Sequence, residues 1–79
     1  MDIRLTLDEF ETLPRQKQFD IVFTIGDFIE ASTQGRMQAF VYAVDYFFVE
    51  LCFDPKVNKI INVYAFESRE IVRKQSGKN

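Results

Sequence analysis

The sequence predicts an α+β domain: two short N-terminal helices, a three- to four-stranded antiparallel β-meander and a short C-terminal helix. Three observations predict it. Residues 6–25 combine a helix-capping pattern, a proline and apolar residues at helical spacing. Residues 37–66 are dense in aromatic and β-branched side chains, which suit a pleated surface. Between two such runs lies Asp54-Pro55-Lys56-Val57-Asn58, where proline fixes φ and asparagine tolerates the left-handed region.

Thr6 followed by Glu9 is a capping box: the hydroxyl accepts from a backbone N–H three residues on, and the carboxylate reaches back. Asp8, Glu9 and Glu11 put negative charge where the helix dipole favours it. The spacing predicts a first helix over 7–13, with Phe10 and Leu13 on its apolar edge. Pro14 ends it and starts another over 15–25. There Phe19, Val22 and Phe23 recur at i, i+3 and i+4, widened by Ile21 or Ile25. The β-branched Ile21, Val22, Thr24 and Ile25 lower its intrinsic propensity. Gly26 is expected to stop it in the left-handed region.

Strand texture begins at Asp27. Phe28 to Thr33 reads as a short strand, Gln34-Gly35 as a turn, and Met37 to Val44, Tyr46 to Phe53 and Ile60 to Phe66 as further strands. Only Asp45 separates two of these runs. A tight turn there is preferred, and one long bent strand over about 38–53 stays open. A helix fits the spacing of Phe40, Val44, Phe47 and Leu51 and is set aside on residue type. Glu67 to Lys74 reads as a short helix with Ile71 and Val72 as buried contacts, and 75–79 as a polar tail. One domain over 1–74 accounts for the chain, whose 79 residues suffice for a single modest core.

Pairing Phe53 with Lys59 sets Leu51 opposite Ile61, Val49 opposite Val63 and Phe47 opposite Ala65, one uniformly apolar face. The expected core is Phe10, Leu13, Phe19, Val22 and Phe23 against Phe47, Val49, Leu51, Ile61 and Val63. The other face then carries Tyr46, Phe48, Glu50 and Cys52 against Ile60, Asn62, Tyr64 and Phe66, with Glu50 opposite Asn62. Phe40 and Tyr42 extend that face if the Asp45 turn permits. An antiparallel sheet covered on one side normally shows polar residues on the other. An aromatic second face implies a cover: the C-terminal helix, a second copy of the chain, or a ligand. The candidate interface or ligand face is therefore Phe40, Tyr42, Tyr46, Phe48, Glu50, Tyr64 and Phe66.

Chemistry is limited by composition. The chain has no histidine and one cysteine, which exclude Ser-His-Asp and Cys-His catalysis, histidine-ligated or four-cysteine zinc, and an internal disulfide. Glu50 and Asp54 lie about 13 Å apart along a strand, beyond the ~5–9.5 Å of glycosidase carboxylate pairs. Cys52 reads as a small hydrophobic filler, and Gly26, Gly35 and Gly77 match no phosphate-cradling loop. No catalytic residue, cofactor or metal is assigned, and the chain is expected to be no enzyme.

Nucleic-acid binding is disfavoured, because from Phe40 to Phe66 the only basic residues are Lys56 and Lys59, against Asp45, Glu50 and Asp54. The N-terminus lacks signal-peptide character and no apolar run spans a bilayer, so a cytoplasmic protein without membrane contact is expected. The element order resembles, in texture alone, small bacterial proteins of unassigned function, and it contributes no residue roles. The leading expectation is an interaction module that forms a homodimer, or binds another protein, through the aromatic sheet face. The alternative is a small-molecule-binding domain that uses that face as a pocket. An acidic N-terminal third and a basic C-terminal segment further suggest two copies meeting with opposite ends apposed.

Overall fold

A computed structural model describes residues 5–67. Two helices, α1 (Leu7–Thr12) and α2 (Arg15–Ile25), precede four strands: β1 (Asp27–Gln34), β2 (Met37–Val44), β3 (Phe47–Asp54) and β4 (Lys59–Phe66). The strands form one antiparallel sheet in sequential order, β1-β2-β3-β4. The expected C-terminal helix lies outside the described residues.

The capping box forms as the sequence predicts. The Glu9 N–H donates to Thr6 Oγ1 at 3.1 Å and the Thr6 N–H donates to Glu9 Oε1 at 3.0 Å. Pro14 stands at the N-cap of α2. A contact that periodicity misses joins the two helices: the buried Gln18 donates from Nε2 to the Phe10 carbonyl at 2.9 Å, completing the C-terminal end of α1. A hydrogen bond of this kind contributes about 1 kcal/mol net, and leaving the buried amide unpaired would cost more.

Successive helical residues turn through about 100°, so seating Gln18 inward rotates α2 about its axis. Val22 becomes its fully buried apolar residue, while Phe23, expected in the core, is 57% exposed. Gly26 also departs from expectation. It is extended (φ −72°, ψ 142°), and the need for glycine comes from space: a Cβ there would meet the Val22 carbonyl oxygen and approach Tyr42 Cβ at 3.4 Å.

Both short hairpins close through two residues, Gly35-Arg36 and Asp45-Tyr46, and in each the first turn residue has positive φ (63° and 51°). Val44 pairs with Phe47, so the tight turn replaces the long bent strand. Partners across a ladder share a face. Phe40 opposite Leu51, and Tyr42 opposite Val49, therefore place both aromatics on the helix-covered face, not on the second face where the sequence reading extended them.

The β3–β4 register also differs from expectation. Ile61 is inserted as a bulge, so Phe53 pairs with Ile60 whereas Leu51 pairs with Val63 and Val49 with Ala65. Ile61 leaves the core and is 51% exposed, and Ile60 moves from the second face to the core side. The core that results is Phe10 and Val22 against Val44, Phe47, Val49 and Leu51, bordered by Leu5, Leu7, Phe19, Ile21, Tyr42, Ile60, Val63 and Ala65. Leu13 is half-buried outside that cluster. Phe10 meets Phe47 at 5.3 Å between ring centroids, and each such buried side chain contributes about 1.5–3 kcal/mol.

Gly26→Ala tests the close approach directly. Relieving the clash of the added methyl with the Val22 carbonyl is expected to cost about 1–3 kcal/mol, read as a lower midpoint in chemical denaturation; an unchanged midpoint would show that the terminus accommodates a methyl group.

Candidate functional site

Both helices pack on the face that carries Phe47, Val49 and Leu51. The ladder pairs set out the second face in three rows across the strands: Ser32, Ala39, Cys52, Asn62; then Glu30, Val41, Glu50, Tyr64; then Asp27, Ala43, Phe48, Phe66. β2 contributes only small aliphatic residues, which form a low floor. The taller side chains of β3 and β4 stand along one side of it. An open concavity of about 420 Å³ lies on this face, lined by Gln34 of β1 and by Glu50, Cys52, Asn62 and Tyr64 of β3 and β4.

Four of the seven candidate residues come together here. Phe48 and Phe66 stack with centroids 5.7 Å apart and planes 27° from parallel, and Tyr64 continues the row at 5.6 Å from Phe66. Phe66 is closed at 3% exposed, Phe48 is half-buried, and Tyr64 is exposed. Glu50 stands opposite Tyr64, because the Ile61 bulge moves Asn62 to the position opposite Cys52. The expected Glu50–Asn62 pair is thereby replaced: Asn62 Oδ1 accepts from the Val63 N–H at 3.0 Å. Tyr46 sits in the exposed β2–β3 turn, and Phe40 and Tyr42 lie on the opposite face.

The electrostatics of this face come from two carboxylates flanking Val41. Partial burial, and secondarily the charge on Glu30, pushes the Glu50 carboxyl above its ordinary range. Among the described residues no cation and no hydrogen-bond donor reaches it. Burial, and then Glu50, likewise pushes the Cys52 thiol upward, which keeps it protonated and weakly nucleophilic. Among the described residues no group of three or more acids or cysteines is placed to hold a metal ion, and no helix is long and apolar enough to cross a membrane.

Asp54, weighed as a carboxylate partner for Glu50, has a structural role instead. It accepts from Arg36 Nε at 3.2 Å and from the Lys56 N–H at 3.0 Å, while its carbonyl accepts from the Asn58 N–H at 2.8 Å. The Arg36 hydrogen bond is the main cause holding its carboxyl below the usual range. Two neighbouring loops are tied together by this one residue.

A second surface was not legible from periodicity. Phe23, Ile25 and Phe28 are each more than half exposed, and Phe23 and Phe28 pack edge-on against Tyr42 at 6.2 and 5.7 Å. They cluster because only Gly26 separates α2 from β1, so the helix end and the strand start share one corner. That single-residue connection was the available signal. Comparison of the chain with family models, with curated proteins and with solved structures gives no match.

Glu50→Gln tests the charge on the second face. The folded-state pKa of Glu50 lies above its unfolded value, so ionisation opposes folding. That penalty is absent below the unfolded value and complete above the folded one. The substitution is expected to raise the thermal midpoint at pH 7 and to lose that gain near pH ~3. Equal midpoints for the two proteins at both pH values would show an uncoupled, solvated carboxylate.

Proposed function

We propose that this chain is a non-enzymatic protein-interaction module that pairs with a second copy of itself. The observation that carries the reading is the exposed cluster of Phe23, Ile25 and Phe28 beside the free edge of β1. A contiguous apolar patch bordered by polar residues marks an interaction surface more often than a bare monomer surface. Among the described residues β1 neighbours only β2, so its outward N–H and C=O groups have no sheet partner there, and an unpaired edge is a template for another strand.

Several features make a second copy the fitting partner. From Ala31 to Gln34 the edge carries no charge. In antiparallel pairing centred on Ser32, Glu30 of one copy faces Gln34 of the other and Ala31 faces Thr33, so no like charges meet. The aromatic sheet face supports the reading less strongly than the corner cluster, since Phe66 is already closed. Light scattering at high micromolar concentration tests this. Wild type is expected at twice the chain mass, Phe28→Glu as a folded monomer, and Tyr64→Lys still as a dimer. A monomeric wild type refutes the module reading, and dissociation by Tyr64→Lys but not by Phe28→Glu moves the contact to the sheet face.

A second reading, a small-molecule-binding domain, is favoured by the concavity at Glu50, Cys52, Asn62 and Tyr64. A ligand that binds only the folded chain raises its thermal midpoint. A compound that does so for wild type and not for Tyr64→Lys supports this reading, and a broad screen without a shift opposes it.

A further inference from the structure

We propose that the concavity on the second sheet face binds a small organic molecule through a primary ammonium group, held between the Glu50 carboxylate and the Tyr64 ring. The inference rests on the small-molecule reading of this face and names the ligand class that its lining selects.

The concavity has the size of a ligand site: its volume of about 420 Å³ falls within the about 300–1,000 Å³ of small-molecule pockets. Its lining is well supplied with hydrogen-bond acceptors. Glu50 offers two carboxylate oxygens, and Gln34 and Asn62 each offer an amide oxygen. Asn62 Oδ1 accepts the Val63 N–H and keeps a second lone pair. A primary ammonium brings three donors and no acceptor, which complements that set. Tyr64 adds an aromatic surface. It is 44% exposed and stands directly opposite Glu50 on the neighbouring strand, a pairing that brings Cβ atoms to about 4.5–5.5 Å. A cation against the carboxylate therefore comes within the ~6 Å over which a ring attracts it.

Charge decides the sign of the ligand. The ladders place Asp27, Glu30, Glu50 and Asp54 on this face against Lys59, and Asp54 is already engaged by Arg36. A face of this sign repels carboxylates and phosphates and draws in cations. Glu50 meets neither a cation nor a hydrogen-bond donor among the described residues. Partial burial and the Glu30 charge both disfavour its ionised form, and an ammonium placed against it offsets both effects. A bare metal ion is poorly served, since among the described residues no group of three or more acids or cysteines is placed to hold one. The cation that fits is organic.

The test is an NMR titration of the 15N-labelled full-length chain at pH 7 with benzylamine, protonated at that pH, and with benzyl alcohol, its neutral counterpart. Benzylamine is expected to move the Glu50, Asn62 and Tyr64 amide signals saturably and to bind at least about tenfold more tightly than the alcohol, equivalent to about 1.4 kcal/mol. Glu50→Gln is expected to abolish that preference. Glu30→Gln changes the surrounding charge and leaves the lining intact, so it is expected to weaken benzylamine less than about threefold. Equal affinity for the two probes overturns the ammonium assignment and leaves the small-molecule reading standing. An absence of saturable shifts with benzylamine overturns the assignment too, while the broad thermal-shift screen decides the reading separately. A preference that survives Glu50→Gln, or that Glu30→Gln removes equally, also overturns it, because general charge then attracts the probe. The dispersion of the amide spectrum reports whether each variant is folded, and the comparison of the two probes on wild type decides without either variant.

Discussion

The two-residue turn at Asp45-Tyr46 is the constraint on which the rest of the structure depends. Val44 pairs with Phe47 across it, and side-chain direction alternates along both strands from that pair outward. One residue more in the loop would exchange the faces, placing Glu50 against the helices and Val49 in the concavity. Asp45 makes this turn possible because a short polar side chain tolerates the left-handed region. The same carboxylate accepts the Leu5 N–H at 3.1 Å. Leu5 leads into the helix whose Phe10 packs against Phe47, the first residue after the turn. Register, helix entry and the centre of the core thus converge on one aspartate.

A single polar contact has a comparable effect on the surface. With the Gln18 amide seated on the Phe10 carbonyl, the rotation of α2 is fixed. Phe23, five residues on and about 140° around the helix, must then face away from the core. A buried hydrogen bond in the interior therefore exposes an aromatic ring at the corner where the proposed partner docks. The rotation of the helix links that interior contact to the surface at the corner.

The sequence made the local structure readable and left the faces partly hidden. The capping box, the proline between helices and the Asp-Pro turn act within a few residues, so their signals are complete in the sequence, and both helices and the strand order follow. Phe23 was misplaced because an apolar stripe of Phe19, Val22 and Phe23 looks identical whichever way the helix is rolled, and the residue that decides it, Gln18, is polar. Ile61 was misplaced because a bulge carries no compositional mark: an isoleucine suits a strand whether or not it is paired. Phe40 and Tyr42 depended on a turn whose length only the ladder reveals. Of the candidate face, Phe48, Glu50, Tyr64 and Phe66 were legible because parity along β3 and β4 survives a register error of two residues.

The bulges at Ile29 and Ile61 fall in the two outer strands, β1 and β4, one at each margin of the sheet. A kinked margin offers only a short straight stretch for main-chain pairing, on β1 from Glu30 to Gln34. The two margins are also chemically unlike, one uncharged from Ala31 to Gln34 and the other opening on Lys59. In the proposed pair, joining β1 to β1 uses up the straight margin of both molecules and leaves at either end a β4 margin kinked at Ile61. A kinked margin is a poor template for a further strand, and this disfavours the ribbon-like stacking that an open four-stranded sheet would otherwise invite.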